Sequence, residues 1–144
     1  MLSILFFGIK AKRTIERKMV MKQETKNMLN EFNLSPEEEL QFGDRYKVFE
    51  DYIKQMVSGE GMVGDSSYLL LWEKREIEEL NNGYETQEFL SNILFIGSDG
   101  GDMAYGIDVN GRYIEISFIG MADEEAKTIA EDFDGFIEYV WNKE

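Results

Sequence analysis

Apolar residues fall along the chain in two rhythms. Between residues 44 and 57 Tyr46, Phe49, Tyr52, Ile53, Met56 and Val57 recur at spacings of three and four, which predicts a helix with one buried face. Ahead of it, Asn33-Leu-Ser-Pro-Glu-Glu-Glu39 reads as a helix start, with Ser35 as cap, Pro36 at the first helical position and Glu38 completing a capping box. Ser58-Gly-Glu-Gly-Met-Val-Gly64 reads as a glycine-rich loop. Tyr68-Leu-Leu-Leu-Trp72 and Ile93-Leu-Phe-Ile96 are short apolar runs of the kind that form buried strands. Between them, 73–82 predicts a charged, exposed helix closed by Gly83.

After the turn residues Gly97-Ser-Asp-Gly-Gly101 comes a hairpin. Asp102–Val109 and Arg112–Ile119 flank Asn110-Gly111, a dipeptide suited to a two-residue type I′ turn. Ile114, Ile116 and Phe118 alternate with Tyr113, Glu115 and Ser117, so one face of the second strand is expected to be buried. A last helix, capped by Asp123, carries Ala126, Ile129, Ala130, Phe133, Ile137 and Val140 as an apolar stripe, with Glu124, Glu125, Glu131, Asp132 and Asp134 on its acidic face. A basic segment, 10–32, has Ile15, Met19, Met28, Leu29 and Phe32 near helical spacing. Strand and helix do not alternate regularly enough for a doubly wound parallel sheet. The order predicts an α+β fold, with an antiparallel or mixed sheet and flanking helices.

The 144 residues suit one core, divided here into a basic N-terminal extension (1–32) and a folded domain (33–144). Charge changes the picture more than length does. The chain has 15 Lys and Arg against 29 Asp and Glu, a net charge of −14. Residues 1–26 are net +5, with seven basic side chains against Glu16 and Glu24, which leaves the remainder at −19. Such a body repels nucleic-acid backbones and anionic lipid, and it either favours fast, salt-sensitive capture of a basic protein or merely keeps the protein soluble.

The chain has no cysteine and no histidine. Disulfides, thiolate chemistry, the Ser-His-Asp triad and most zinc sites are therefore excluded, which argues against an enzyme, although carboxylate-only mechanisms survive. No apolar run reaches the roughly 18–20 residues of a membrane span. The apolar start, Leu2–Ile9, precedes its basic residues, the reverse of a secretory signal, so the expected compartment is the cytoplasm. That apolar start is expected to be covered, either by the domain itself or by a second copy of the chain in a homodimer.

Several candidate sites carry little chemistry. Gly59-Glu-Gly-Met-Val-Gly64 matches G-x-G-x-x-G, but a helix precedes it and a strand follows, the wrong context for a dinucleotide. Asp99, Asp102 and Asp108 do not have calcium-loop spacing and are ordinary turn residues, and Ser98 has no base beside it. Glu60 with Asp65, or Asp108 with Glu115, could supply the two carboxylates of a glycosidase. With 29 acids in the chain, such pairs arise by chance. No cofactor or metal is expected. Trp72 is assigned to the core, whereas Trp141 suits either core or surface.

Taken together, Gly59-Glu-Gly-Met-Val-Gly64, Tyr68-Leu-Leu-Leu-Trp72, Ile77-Glu-Glu-Leu-Asn81, Phe95-Ile-Gly-Ser-Asp-Gly-Gly101, Ala104-Tyr105-Gly106 and Phe133-Asp-Gly-Phe-Ile137 resemble the SUKH superfamily, named for the fungal Smi–Knr regulators of cell-wall glucan synthesis. The resemblance covers about residues 35–140 and lies in the order of the motifs. Phe42-Gly-Asp-Arg-Tyr46 lacks the proline usual there, and residues 1–26 lie outside it. It implies a non-enzymatic α+β domain whose bacterial members are mostly immunity proteins that neutralise toxins, commonly nucleases. A regulatory scaffold of glucan synthesis is the alternative it carries. Under the immunity reading, the expected partner-binding residues are the acids near the loops: Glu60, Asp65, Asp99, Asp102 and Asp108.

Overall fold

The structure, a computed structural model, describes residues 21–143. Seven strands form one antiparallel sheet in sequence order: β1 (Phe32–Leu34), β2 (Gly59–Val63), β3 (Ser67–Leu71), β4 (Ile93–Ser98), β5 (Met103–Asp108), β6 (Tyr113–Ser117) and β7 (Lys127–Ala130). The helices are α1 (Gln23–Met28), α2 (Glu50–Lys54), α3 (Lys74–Tyr84), α4 (Thr86–Phe89) and α5 (Phe133–Trp141). The fold is α+β, and the sheet is antiparallel throughout. The spacing expected at Ile15 and Met19, and the apolar start at Leu2–Ile9, lie outside the described residues.

Strand pairing assigns the side chains to two faces. Leu71, Gly97, Tyr105 and Glu115 lie in register on one face, where α5 sits: Phe136 meets the Tyr105 ring edge-on at 5.1 Å and stacks on Tyr113 at 4.7 Å. On the other face lie Leu70, Ser98, Ala104 and Ile116, and α3 and α4 cover β4 there. Phe95 joins this second layer, edge-on to Phe118 at 5.7 Å. Both halves share one core in which Ile53, Met56, Leu69, Ile77, Leu94, Ile96, Ile137 and Val140 are fully buried.

Several expectations need correcting. The glycine-rich segment is strand β2, not a loop. A Cβ on Gly59 would stand 2.2 Å from the Asn33 carbonyl oxygen, so the glycine lets β1 lie close on β2 instead of turning the chain. Ser35-Pro36 starts no helix. Ser35 N–H continues the strand ladder to the Ser58 carbonyl at 2.9 Å, while Glu37 and Glu38 reach Lys74 (3.6 Å) and Arg75 (3.8 Å). The predicted 44–57 helix is a 3-10 segment, Asp44–Phe49, running into the short α2. Tyr46, Phe49, Ile53 and Met56 are buried as expected. Helix α3 runs through Gly83 to Tyr84 and ends at left-handed Glu85.

The hairpin forms at Asn110-Gly111, but with a three-residue loop. Gly111 N–H bonds the Asp108 carbonyl at 3.0 Å, Asp108 N–H bonds the Arg112 carbonyl at 2.9 Å, and only Gly111 has positive φ. Strand β6 is buried on both faces, because α5 covers Tyr113 and Glu115. The predicted last helix is divided. Lys127–Ala130 pairs with β6 as β7, and α5 starts later, capped by Asp132 Oδ1, which accepts from Gly135 N–H at 2.8 Å.

Glu50 ties down the chain ahead of α2. Its carboxylate accepts from the buried Phe42 N–H at 2.7 Å and lies 3.5 Å from Lys47 and 3.6 Å from Lys54. The Phe42 bond, helped by the two lysines and opposed by burial, holds its pKa below the ordinary 4.5. A lowered folded-state pKa gives stability that is complete above 4.5 and lost as the pH falls through the lowered value. Glu50→Gln should cost about 1–2 kcal/mol at neutral pH. In urea unfolding its difference from the parent chain should close on acidification; an equal difference at every pH would refute the assignment.

Candidate functional site

The five acids singled out from the sequence are dispersed. Asp99 and Asp102 share the β4–β5 turn. Asp99 is half-buried and engaged in it: Oδ1 accepts from Gly101 N–H at 2.8 Å and Met103 N–H at 3.2 Å, and Oδ2 lies 4.0 Å from Lys143 Nζ. Asp102 is exposed, as is Asp65 in the β2–β3 turn. Lys143 links this end of the sheet, since its carbonyl accepts from Ser67 Oγ at 2.9 Å while its amine reaches Asp99. Asp108 sits at the opposite end of β5. It accepts from Asn110 N–H (2.8 Å) and Arg112 N–H (3.0 Å) and pairs with Arg112 Nε at 3.1 Å. Its role is turn chemistry.

Glu60 is exposed on β2 and accepts a short hydrogen bond from Tyr68 across the strand pair. That bond, with a smaller contribution from burial, raises the Tyr68 pKa. Asp108 and Glu115 project from opposite faces of the sheet and form no carboxylate pair. Glu115 is buried beneath α5, bonded by Tyr139 Oη at 2.8 Å and Lys143 Nζ at 2.5 Å. Burial, followed by the bond to Glu115, pushes the Tyr139 hydroxyl up to about 12. Burial lowers the Lys143 pKa, but the bonds to Glu115 and Tyr105 outweigh it and leave it raised. This cluster is a clamp that holds the C-terminal end of α5 on the sheet. Among the described residues no three acids converge as a set of metal ligands, and no helix is long and apolar enough to cross a membrane.

A different surface was missed by the sequence reading. Helix α3 covers β4 but leaves the same face of β1–β3 open, where Glu60, Tyr68 and Leu70 lie. The step between helix and strands is a groove of about 590 Å³, whose lining includes Leu34, Pro36, Leu70, Trp72 and Leu80 beside Glu60, Glu73 and Glu76. A second depression of about 540 Å³ continues across α3 over Glu76, Glu79, Leu80, Gly83 and Tyr84. The signal was present in the helix itself: Glu76, Leu80 and Tyr84 repeat every four residues along the flank beside buried Ile77 and Asn81. The chain matches no family model and no curated protein.

Proposed function

We propose that this domain is a non-enzymatic protein-binding module of the immunity type, which neutralises a basic toxin domain of the nuclease class by occupying or flanking its cleft. The observation that supports it is the exposed acidity of a folded body. Asp65, Asp102, Glu76 and Glu79 make no side-chain hydrogen bond or ion pair among the described residues, on a chain with net charge −14. Unpaired exposed carboxylates give fast capture of a cationic surface and mimic the charge of a nucleic acid. The motif order shared with the SUKH superfamily supports the same reading.

The experiment is capture on the full chain from the native cells and culture fluid, eluted with rising salt. A basic toxin domain should be recovered, and its affinity should fall on the order of tenfold or more between low and high salt, mostly through the association rate. Co-expression of the chain should then restore growth to cells making that toxin. Recovery of wall-synthesis proteins instead would move the assignment to a regulatory scaffold of the Smi–Knr type. Binding that salt does not weaken would contradict the charge argument.

A further inference from the structure

We infer that the groove between α3 and the open face of β1–β3 is the docking site, and that its occupant is a segment of a protein partner carrying arginine or lysine next to a large apolar side chain. The inference rests on the binding reading above and adds to it a surface and a recognition chemistry. Acidity alone would not single out this place, because exposed acids also occur at the sheet end near Asp65 and Asp102. What the groove adds is a depression in which acid lies beside accessible apolar surface. Leu70 and Leu80 are only half-buried, and Tyr84 keeps 42% of its surface exposed.

No lysine or arginine lines either depression. Glu73 is met by Arg75 at 2.8 Å, and Glu60 accepts from Tyr68. The Glu76 and Glu79 side chains make no hydrogen bond or ion pair among the described residues, so the site keeps negative charge for a ligand to neutralise. Its walls are also fixed. Trp72 lies parallel to Tyr84 with ring centres 6.0 Å apart, and Tyr84 stacks on Phe118 at 5.0 Å. A rigid wall lowers the ordering cost of binding. A guanidinium can pair with Glu76 and Glu79 beside the exposed part of Tyr84, while the neighbouring apolar side chain sits against Leu70 and Leu80. Charge also selects the partner: a second copy would bring the same acidic surface to its own groove, and a nucleic acid would be repelled.

The test uses the isotope-labelled full chain and three synthetic peptides, Arg-Phe-Arg-Phe, Arg-Ser-Arg-Ser and Glu-Phe-Glu-Phe, each capped at both ends. The Arg-Phe peptide should shift the amide signals of Leu70, Glu76, Leu80 and Tyr84 and bind about tenfold more tightly than either other peptide. Glu76→Lys and Leu80→Asp, each with an otherwise unchanged spectrum, should weaken it about tenfold. Equal binding of Arg-Phe and Arg-Ser, or shifts centred on Asp65 and Asp102, would overturn the proposal. So would groove signals that move on dilution of the free protein, or on replacing Lys10, Lys12 and Arg13 by serine, because the occupant would then be a second copy or the chain's own N-terminal residues. A captured partner that binds Glu76→Lys as well as the parent chain would overturn the groove and leave the binding function standing. Docking of the peptide without any captured partner would support the groove and count against the immunity reading.

Discussion

Gly97→Ala should leave the chain without a cooperatively folded state. A Cβ at this position would stand 2.0 Å from the Leu70 carbonyl oxygen, 3.0 Å from its carbon and 3.1 Å from Leu71 Cα. All three are backbone atoms, so no side chain can swing aside, and the strands themselves must part. The joint has nothing to spare. Strands β3 and β4 pair only at Leu70 with Ser98 and Leu71 with Gly97, followed by a bond from Trp72 N–H to the Ile96 carbonyl at 2.9 Å. Separating them would divide β1–β3 from β4–β7 and open the core at Leu71 and Ile96. The loss is on the order of 4 kcal/mol or more, a large part of the stability of an ordinary domain. Gly83→Ala is the internal control. Its Cβ meets nothing within 4 Å, in the exposed part of α3, so the same substitution should add about 0.5–1 kcal/mol. Urea unfolding checks both, and a Gly97→Ala midpoint near that of the parent chain would refute the close crossing.

That contrast also explains what could be read from the sequence and what could not. Tyr68–Trp72 and Ile93–Ile96 were legible because short apolar runs bounded by turn residues carry their own signal, and Asn110-Gly111 marked the hairpin that joins β5 to β6. Gly59 and Gly61 gave the opposite impression. Glycine is used there for close backbone approach, which no neighbouring residue reveals, so a strand looked like a loop. Ser35-Pro-Glu-Glu38 is a sound local capping signal, but its acids reach the basic start of α3 and its backbone extends the ladder from β1. In the C-terminal stripe, Ile129 and Ala130 fit a helix by spacing alone, yet the free edge of β6 took Lys127–Ala130 as a seventh strand. For the site, exposure of Glu60, Asp65 and Asp102 was legible from their surroundings. Turn chemistry claimed Asp99 and Asp108. The groove was not legible from the acids, because it depends on where the sheet leaves α3 without a neighbour.

Asn81→Leu should cost on the order of 3–4 kcal/mol, although leucine is apolar and close in size. Asn81 is fully buried between α3 and β4. Its amide donates to the Phe95 carbonyl at 2.9 Å and to the Ile77 carbonyl at 2.8 Å. Its side-chain oxygen accepts from Phe95 N–H at 2.8 Å and from Thr86 Oγ1 at 2.9 Å. Leucine would strand the Phe95 N–H and carbonyl in the core and leave the Thr86 hydroxyl only its longer bond to the Asn81 carbonyl, and the desolvation of groups left unmade outweighs any added apolar contact. Asn81→Asp separates this network from simple packing. It keeps the shape but buries a carboxylate with no donor amide, so its folded-state pKa must rise above the unfolded value. The variant should therefore be worst at neutral pH and recover relative to the parent chain on acidification, whereas Asn81→Leu should show no such recovery. Calorimetry across pH checks both. Because Leu80 and Tyr84 flank this anchor on α3, the same bonds set the height of the groove wall above β3. Asn81→Leu, at a temperature where it is still folded, should then weaken the Arg-Phe peptide without touching its binding residues. A variant that loses stability but binds the peptide as well as the parent chain would mean that the wall is held by the Trp72–Tyr84–Phe118 stack alone.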